Sequence, residues 1–487
     1  MYKKIIIVML IVLGAFTTFF LYRTYAYDTS VVEETPTTTD KAYTFKIGNS
    51  SIKQITVDSG ETKYYDIVLS NPNNAKISYS VYYEMVSPST KPDDFSIGYT
   101  SKSTGNSTGK VDKNGSITLT IEVSNTSSST VTVKVGTVAG YVNGGELTLG
   151  SGQVVIPKQS ASKYIMSLND GTTGDSGSGV YKVTHSAIPA SSSATGSEIP
   201  ASTDYRYYGP NPNNYICLDM EGQSTCPDKH LYRIIGSIYE EKENTNRIKL
   251  IKATRLTDGT TSTFSWDYKV NNGSGSYDNI WATITSGNYS NSLTSGSTLM
   301  QLLNSGAWWN GTSGSYYNNS TTATTVNFTN YKLSDKAKSY ITTSRYYLGG
   351  YNSFNTPITN EMYGYERGTS RYNTDRPLYW EGMVGLMYPS DYGYAAGNAC
   401  VTGTTLWGYS SGCMNKDWLY ISNTSQWPMS PHSGLSNRVL FVGHAGQVGN
   451  NDGYSNYALA VSPVFFLNSS ANISDGEGTS TDPYILS

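Results

Sequence analysis

Charge is scarce in this chain and nearly cancels: 34 Lys and Arg stand against 37 Asp and Glu, and charged residues make up 15% of 487. With no long basic run there is no electrostatic footprint for a phosphate backbone, and nucleic acid is not an expected partner. Long apolar runs are as few. After Leu21 no stretch is apolar for long enough to cross a bilayer, and Tyr484-Ile485-Leu486-Ser487 is no hydrophobic tail. There is no LPxTG sorting sequence, no Gly-x-Ser-x-Gly elbow, no His-Glu-x-x-His and no Walker loop, so the chemistries that these carry lack their residues. His185, His230, His432 and His444 are scattered singly and neither cysteine pair has CxxC spacing, so no metal and no cofactor is expected.

What is present begins with residues 5–21, a seventeen-residue, largely apolar stretch behind Lys3 and Lys4. A helix of that length spans about 26 Å, slightly short of the roughly 30 Å hydrocarbon core. Thr24-x-Ala26 supplies the small residues a signal peptidase needs, so residues 1–26 read as a signal peptide cleaved after Ala26, with a retained membrane anchor as the alternative. Either reading exports the chain, and contact with the membrane is then expected only through this helix. Composition agrees: Tyr alone numbers 42, amid abundant Ser, Thr, Asn and Gly, the profile of a β-rich extracellular protein. The four cysteines fall as Cys217 with Cys226 and Cys400 with Cys413, each pair bracketing a short loop. Two local disulfides are the natural reading in an oxidising compartment, although three connectivities are formally open.

At this length two domains are expected. Residues 27–42 read as a linker. Over 43–157 the pattern is period-two alternation broken by turns: Ile117, Leu119, Ile121 and Val123 share one face, with threonines and Glu122 on the other. Residues 64–69 and 77–83 read as strand, turn and strand around Asn71-Pro72-Asn73-Asn74. About seven short strands predict an all-β immunoglobulin-like sandwich. Residues 158–177 read as a second linker, its Gly/Ser-rich part flexible. The rest, 178–487, reads as a loop-rich α+β domain: a strand over 180–184, paired strands over 231–236 and 247–253, a short helix over 298–303, and a helix capped by Ser334 and running toward Leu348 before Gly349-Gly350.

Several strings in this second half are distinctive together: Asp204-Tyr205-Arg206-Tyr207-Tyr208-Gly209-Pro210-Asn211-Pro212-Asn213-Asn214-Tyr215, Tyr346-Tyr347-Leu348-Gly349-Gly350-Tyr351, Gly385-Leu386-Met387-Tyr388-Pro389-Ser390-Asp391-Tyr392-Gly393-Tyr394-Ala395, and Gly478-Thr479-Ser480-Thr481-Asp482-Pro483-Tyr484. Residues 178–487 resemble uncharacterised exported and surface proteins of Gram-positive bacteria, whose C-terminal domain is related to the formylglycine-generating-enzyme and C-type-lectin-like folds. The resemblance implies a small twisted core carrying long variable loops, a frame suited to binding. It does not carry catalysis over, because Cys400 and Cys413 are too far apart for the enzyme's copper-holding pair. The calcium-dependent sugar signatures of C-type lectins are absent too. Val461-Ser462-Pro463 stands where such relatives often have Val-Arg-Pro, which implies a weakened anchor for the strand that follows.

The expected function is therefore recognition, of an extracellular glycan or protein, with no catalytic residue assigned. The candidate ligand-binding residues are Trp418, Tyr420, Asn437, Asn450, Asn451, Asp452, Tyr454, Asn456 and Tyr457, with Trp427 as a further flat ring; Tyr and Asn give binding loops contact area and adaptable hydrogen bonds. Most aromatics in so aromatic a domain must nevertheless be core, Trp266, Trp281, Trp380 and Trp418 among them. Asp475-Gly476-Glu477-Gly478 with Asp482 reads as a tight polar turn before it reads as a calcium loop. Two other classes stand beside this one. An extracellular carbohydrate-active enzyme would need carboxylates such as Asp391 and Asp417 converging in a pocket. A surface matrix or filament subunit would need an open strand edge near Phe45.

Overall fold

The computed structural model describes residues 41–46, 52–71, 77–99, 110–112, 114–139, 150–151, 160–169, 179–449, 453–476 and 478–486. The expected signal peptide or anchor lies outside the described residues, as do the linker up to residue 40 and the spacer 170–178. The chain is mostly β-sheet with a few short helices. Among the described residues no helix is long and apolar enough to cross a membrane.

Among the described residues the N-terminal unit has nine strands, two more than expected: β1 (Lys41–Lys46), β2 (Ile52–Val57), β3 (Glu61–Ser70), β4 (Ile77–Ser87), β5 (Phe95–Tyr99), β6 (Lys110–Val111), β7 (Ser116–Asn125), β8 (Val131–Ala139) and β9 (Gly150–Ser151). They form two sheets, in the order β1-β3-β7-β5 and β2-β8-β4-β6, with β9 added on β4. The sequential strands β3 and β4 are therefore not a hairpin, since they belong to different sheets. The alternation does its expected work. Ile67, Leu69, Leu119, Ile121 and Val123 of one sheet, and Ile55, Val57, Val81, Val133 and Val135 of the other, are all buried. Thr120, on the expected polar face, is buried as well, with its hydroxyl donating to Asp66 Oδ1 at 2.7 Å.

Two buried asparagines tie the sheets together at opposite ends. Asn71, just past β3, donates through Nδ2 to the carbonyls of Val111 and Asp112 at 3.2 and 3.0 Å, and Asn125, closing β7, donates to those of Val57 and Ser129 at 2.9 and 2.8 Å. Cysteine plays no part in this unit. Buried amides matched to strand-end carbonyls supply what a cross-link would otherwise give.

Part of the stretch expected as linker is structured. Helix α1 (Ala161–Ser167), with Ser160 Oγ accepting from Lys163 N, buries Ala161, Tyr164 and Ile165. It packs on two long strands, β13 (Leu231–Glu240) and β14 (Thr245–Lys252), and Ser162 Oγ donates to Asn246 O at 2.8 Å. The apolar spacing 161, 164, 165 is the helical signal that reading 158–177 as a linker overlooks.

The C-terminal unit is built on a nine-stranded sheet that takes in β10 (Val180–His185), β11 (Ser202–Tyr207), β12 (Tyr215–Cys217), β13, β14 and the late strands Val464–Leu467 and Tyr484–Leu486. The strand pair over 231–253 and the helix Thr298–Asn304 form as their sequences imply, and Ser334 caps the next helix through Ala337 N. That helix ends at Ser339, nine residues short of expectation, and Ile341–Thr342 and Ser344–Tyr347 are strands instead. Tyr346 and Tyr347 lie in the core, where a strand lets Tyr346 face Trp380 and Phe466. The strand after Val461-Ser462-Pro463 is not weakly anchored: all four residues of Val464–Leu467 are buried between β14 and Ile341–Thr342.

Where the sheet meets two helices, Pro389–Ala395 and Thr359–Glu366, the core carries charge. Arg206 of β11 donates to Asp204 Oδ2 through Nη2 at 2.8 Å and to Asp391 Oδ1 through Nη1 at 2.6 Å. Lys249 of β14 reaches Asp391 Oδ2 at 2.5 Å, and Tyr388 N donates to the same oxygen at 2.8 Å. Asp204 also receives Tyr239 N, and His185 Nε2 lies 3.0 Å away with its ring stacked on Tyr363. Two carboxylates face two cations with every one of them buried, an arrangement that geometry must complete because desolvation is costly. Gly236 makes room for it, since a Cβ there would strike Tyr205 O and the Arg206 backbone.

Beside this network Glu366 accepts from Ser390 N and Oγ at 2.9 and 2.5 Å, and burial pushes its carboxyl up to about 7 from an ordinary 4.5. A carboxyl whose folded value is raised stabilises the protonated fold, so its contribution is whole below about 4.5 and is lost as pH climbs to about 7. The unfolding midpoint of the C-terminal unit is predicted to fall over that window, and Glu366→Gln to flatten the fall; a differential scanning series against pH checks both. In the N-terminal unit, Asn125→Ala strips the buried Val57 carbonyl and the part-buried Ser129 carbonyl of their donor and is expected to cost about 1–3 kcal/mol in urea unfolding.

Candidate functional site

The expected binding segment 437–457 folds as a set of crossing loops whose geometry rests on one side chain outside it. Asn279 is buried, and its Nδ2 donates to the carbonyls of His432, Leu435 and Arg438 at 2.9, 2.8 and 2.9 Å, while its backbone N donates to Ser436 O. Its Oδ1 accepts from Arg376 Nε at 3.1 Å, which brings in a second loop. A third joins through Ser433 N donating to Tyr351 O, and the Tyr351 ring packs at a tilt against Tyr365 at 4.7 Å. One amide therefore pins the turn 432–438 and sets loops around 351–376 beside it.

The loop tips carry exposed rings. Of the large hydrophobic side chains that stand out into solvent among the described residues, Phe354, Tyr365, Tyr372, Leu435 and Tyr457 belong to these loops; Val86 alone lies elsewhere. Tyr372 is 44% exposed and Phe354 53%, values that make them contact surface rather than core. Arg438 lies over the Tyr454 ring at 4.4 Å and donates to its hydroxyl at 2.8 Å, and Tyr454 in turn packs against Tyr457 at 5.4 Å. Asn456 Nδ2 donates to Asn319 Oδ1 at 2.6 Å. Rings and amides stand side by side in this segment.

The structure gathers Asn437, Tyr454, Asn456 and Tyr457, through Ser455 N donating to Asn437 O and the Arg438 and Tyr454 backbone bridge. Asn450, Asn451 and Asp452 lie outside the described residues. Trp418 is not part of the surface: it is 7% exposed, its Nε1 donates to Tyr207 O, and Arg233 covers its ring at 4.3 Å. Trp427 is interior too, bonded to Phe264 O, because a large ring with a satisfied N–H stabilises the core better than it decorates a loop. Tyr420 is half-buried and donates to His444 O at 2.6 Å. Trp266, Trp281 and Trp380 are core, as expected. Leu435, Phe354, Tyr365, Tyr372 and the Asn279 hub escaped the sequence reading. Single large apolar residues set among Ser, Asn and Gly, as in Ser433-Gly434-Leu435-Ser436 and Asn352-Ser353-Phe354-Asn355, were the available signal.

Asp391 is engaged by Arg206 and Lys249, and Asp417 is buried with burial pushing its carboxyl well up; neither opens on a cleft described here. Clefts of about 220 and 470 Å³, lined around Tyr207 to Asn213 and around Ser160 to Met166 with Asn244 to Ile248, carry no carboxylate, whereas a small one of about 20 Å³ is lined by Glu240 and Glu241, with Arg345 bonded to Glu241 and Arg367 beside it. Near the C-terminus Thr479 N donates to Asp482 O, and Gly476 and Gly478 take positive φ, the geometry of a tight turn. Both disulfides form as local pairs, Cys217 with Cys226 and Cys400 with Cys413. Removing the hub amide, Asn279→Ala, is predicted to leave the fold intact but to free the 432–438 turn, read as at least tenfold faster amide exchange there.

No protein-family model and no curated protein matches the chain. Among solved structures it is similar to PliG of Salmonella Typhimurium, a periplasmic lysozyme inhibitor of g-type lysozyme, at a TM-score of 0.14 and 10% identity, over 20% of this chain and 98% of that one. A mutant of the Escherichia coli inhibitor PliG-Ec gives a TM-score of 0.13 and 8% identity, over 20% and 97%.

Proposed function

We propose that the chain is an exported cell-surface or secreted protein whose immunoglobulin-like N-terminal sandwich holds out a non-catalytic, C-type-lectin-like domain for recognition of an extracellular glycan. Two disulfides fit an oxidising compartment outside the cytoplasm. The observation that supports the reading is the set of exposed side chains Tyr457, Leu435, Tyr372 and Tyr365, with Tyr454 beside Tyr457, on segments that Asn279 links through the turn 432–438 and Arg376. Rings of this kind stack on the apolar faces of sugars, and the neighbouring amides and Arg438 offer the directed hydrogen bonds that hydroxyl groups require. A protein ligand is the other outcome that the same face admits.

An assembly role is the second reading, and one observation favours it. β1 stands at the end of its sheet, pairing with β3 alone among the described residues, so its outer edge is open to another strand.

The full chain on a glycan array is expected to show saturable binding that Tyr454→Ala with Tyr457→Ala weakens at least tenfold, while Val86→Ser, on the other unit, changes nothing. Binding that survives the tyrosine changes would remove the face from the account, and turnover of an arrayed glycan would establish an enzyme in its place. Sedimentation against concentration reads the assembly alternative.

A further inference from the structure

The loop closed by Cys217 and Cys226 gathers three metal-ligating side chains that the sequence spacing hides. We propose that Asp219, Glu221 and His230 form a binding site for a divalent transition metal, zinc being the ion that they fit. Glu221 takes a positive φ of 48° with Gly222 following at 73°, a tight reversal that turns the Glu221 carboxylate back over the loop. Its backbone N donates to Asp219 Oδ1 at 3.1 Å. His230 arrives from the far side, at the end of the short helical turn Asp228–His230 that leads into β13, and its side chain is fully buried. One ligand atom from each residue lies within 4.8 Å of the other two.

The separation between His230 and Glu221 is that of two donors around one ion, and the Asp219 carboxylate, within 4.8 Å of both, closes the remaining distance when the ion binds. His230 Nε2 stands 3.1 Å from Glu221 Oε1, and two ligands bonded at about 2.1 Å to a common zinc lie roughly 3.0–3.5 Å apart. Asp219 is already oriented, since its second oxygen accepts from Ser334 Oγ at 2.6 Å, the kind of outer partner that fixes a metal-bound carboxylate. An imidazole beside two carboxylates favours zinc over calcium or magnesium, which prefer all-oxygen surroundings, and water completes the fourth position. Lys229 Nζ, 2.8 Å from Glu221 Oε1, and Lys336 Nζ, 3.8 Å from Asp219 Oδ1, balance the carboxylates meanwhile; both lysines are partly exposed and can swing into water when an ion enters. Binding leaves the proton of His230 on Nδ1, which is buried with no partner among the described residues, a cost that weakens the site.

Equilibrium dialysis of the full, tag-free chain against zinc chloride is expected to show a micromolar site of one ion per chain. Asp219→Asn and Glu221→Gln should each weaken it at least tenfold while leaving the metal-free unfolding midpoint unchanged, and cobalt(II) in place of zinc should develop a d–d absorption band in the parent chain and in neither variant. Calcium should not compete. Absence of zinc binding at millimolar concentration, or equal binding by the parent and both variants, overturns the assignment.

Discussion

The contact between Arg206 and Asp391 governs the C-terminal unit, because it is where a sheet and two helices with no other common element are forced into one arrangement. Arg206 comes from β11, Lys249 from β14, Asp204 from β11 again, Asp391 from the helix Pro389–Ala395, and the neighbouring Glu366 and Arg367 from the end of Thr359–Glu366. Apolar packing tolerates small slips between layers; a buried carboxylate held by two cations and a backbone N–H does not, since any slip leaves an unpaired charge out of water. Disulfides reinforce this only locally, each closing a loop of fewer than fifteen residues.

A frame fixed in this way can afford loops with little regular structure. From residue 253 to 463 the chain forms only short helices and two- to four-residue strands, and it is held in place by side chains that reach across it: Asn279 to the turn 432–438, Asn304 to Val384, Asn318 to Ser265 and Thr263. Each asparagine supplies both donors and an acceptor, so one residue can close a loop that would otherwise need a strand pair. Their abundance, taken from the sequence as a sign of wet binding surface, is in good part internal carpentry. What remains outside is the patch of Tyr457, Leu435, Tyr372, Tyr365 and Phe354.

The strings that mark the resemblance turn out to meet one another. Asp204-Tyr205-Arg206 and the helix-opening Pro389-Ser390-Asp391 are the two halves of the buried ion network, and Tyr388 O–H bonds Tyr347 O in the third string, while Gly478 O accepts from Tyr215 N to join the last to the first. Such strings speak for the frame and are silent on the ligand. Periodicity revealed the strands of the N-terminal unit and the pair 231–253, where one face is buried, and near-sequential cysteines revealed both disulfides. It missed the crossing between β3 and β4, because alternation fixes which face of a strand is buried and not which neighbour it pairs with. It took Ala337, Tyr340 and Ile341 for one helix, where tertiary contacts of Tyr346 with Trp380 override a weak helical period. Trp418, offered as a binding ring and yet expected in the core by its size, is core, with Arg233 over its ring. Asp219, Glu221 and His230 have no fixed spacing to recognise, and only the disulfide-closed loop brings them together.

The most direct measurement is urea unfolding of the C-terminal unit in the full chain with Asp391→Ala, which leaves Arg206 and Lys249 facing one another without their carboxylate. The account predicts a loss of about 3–5 kcal/mol, the usual cost of stranding buried charge. A loss below about 1 kcal/mol, in the range of an exposed ion pair, would contradict it.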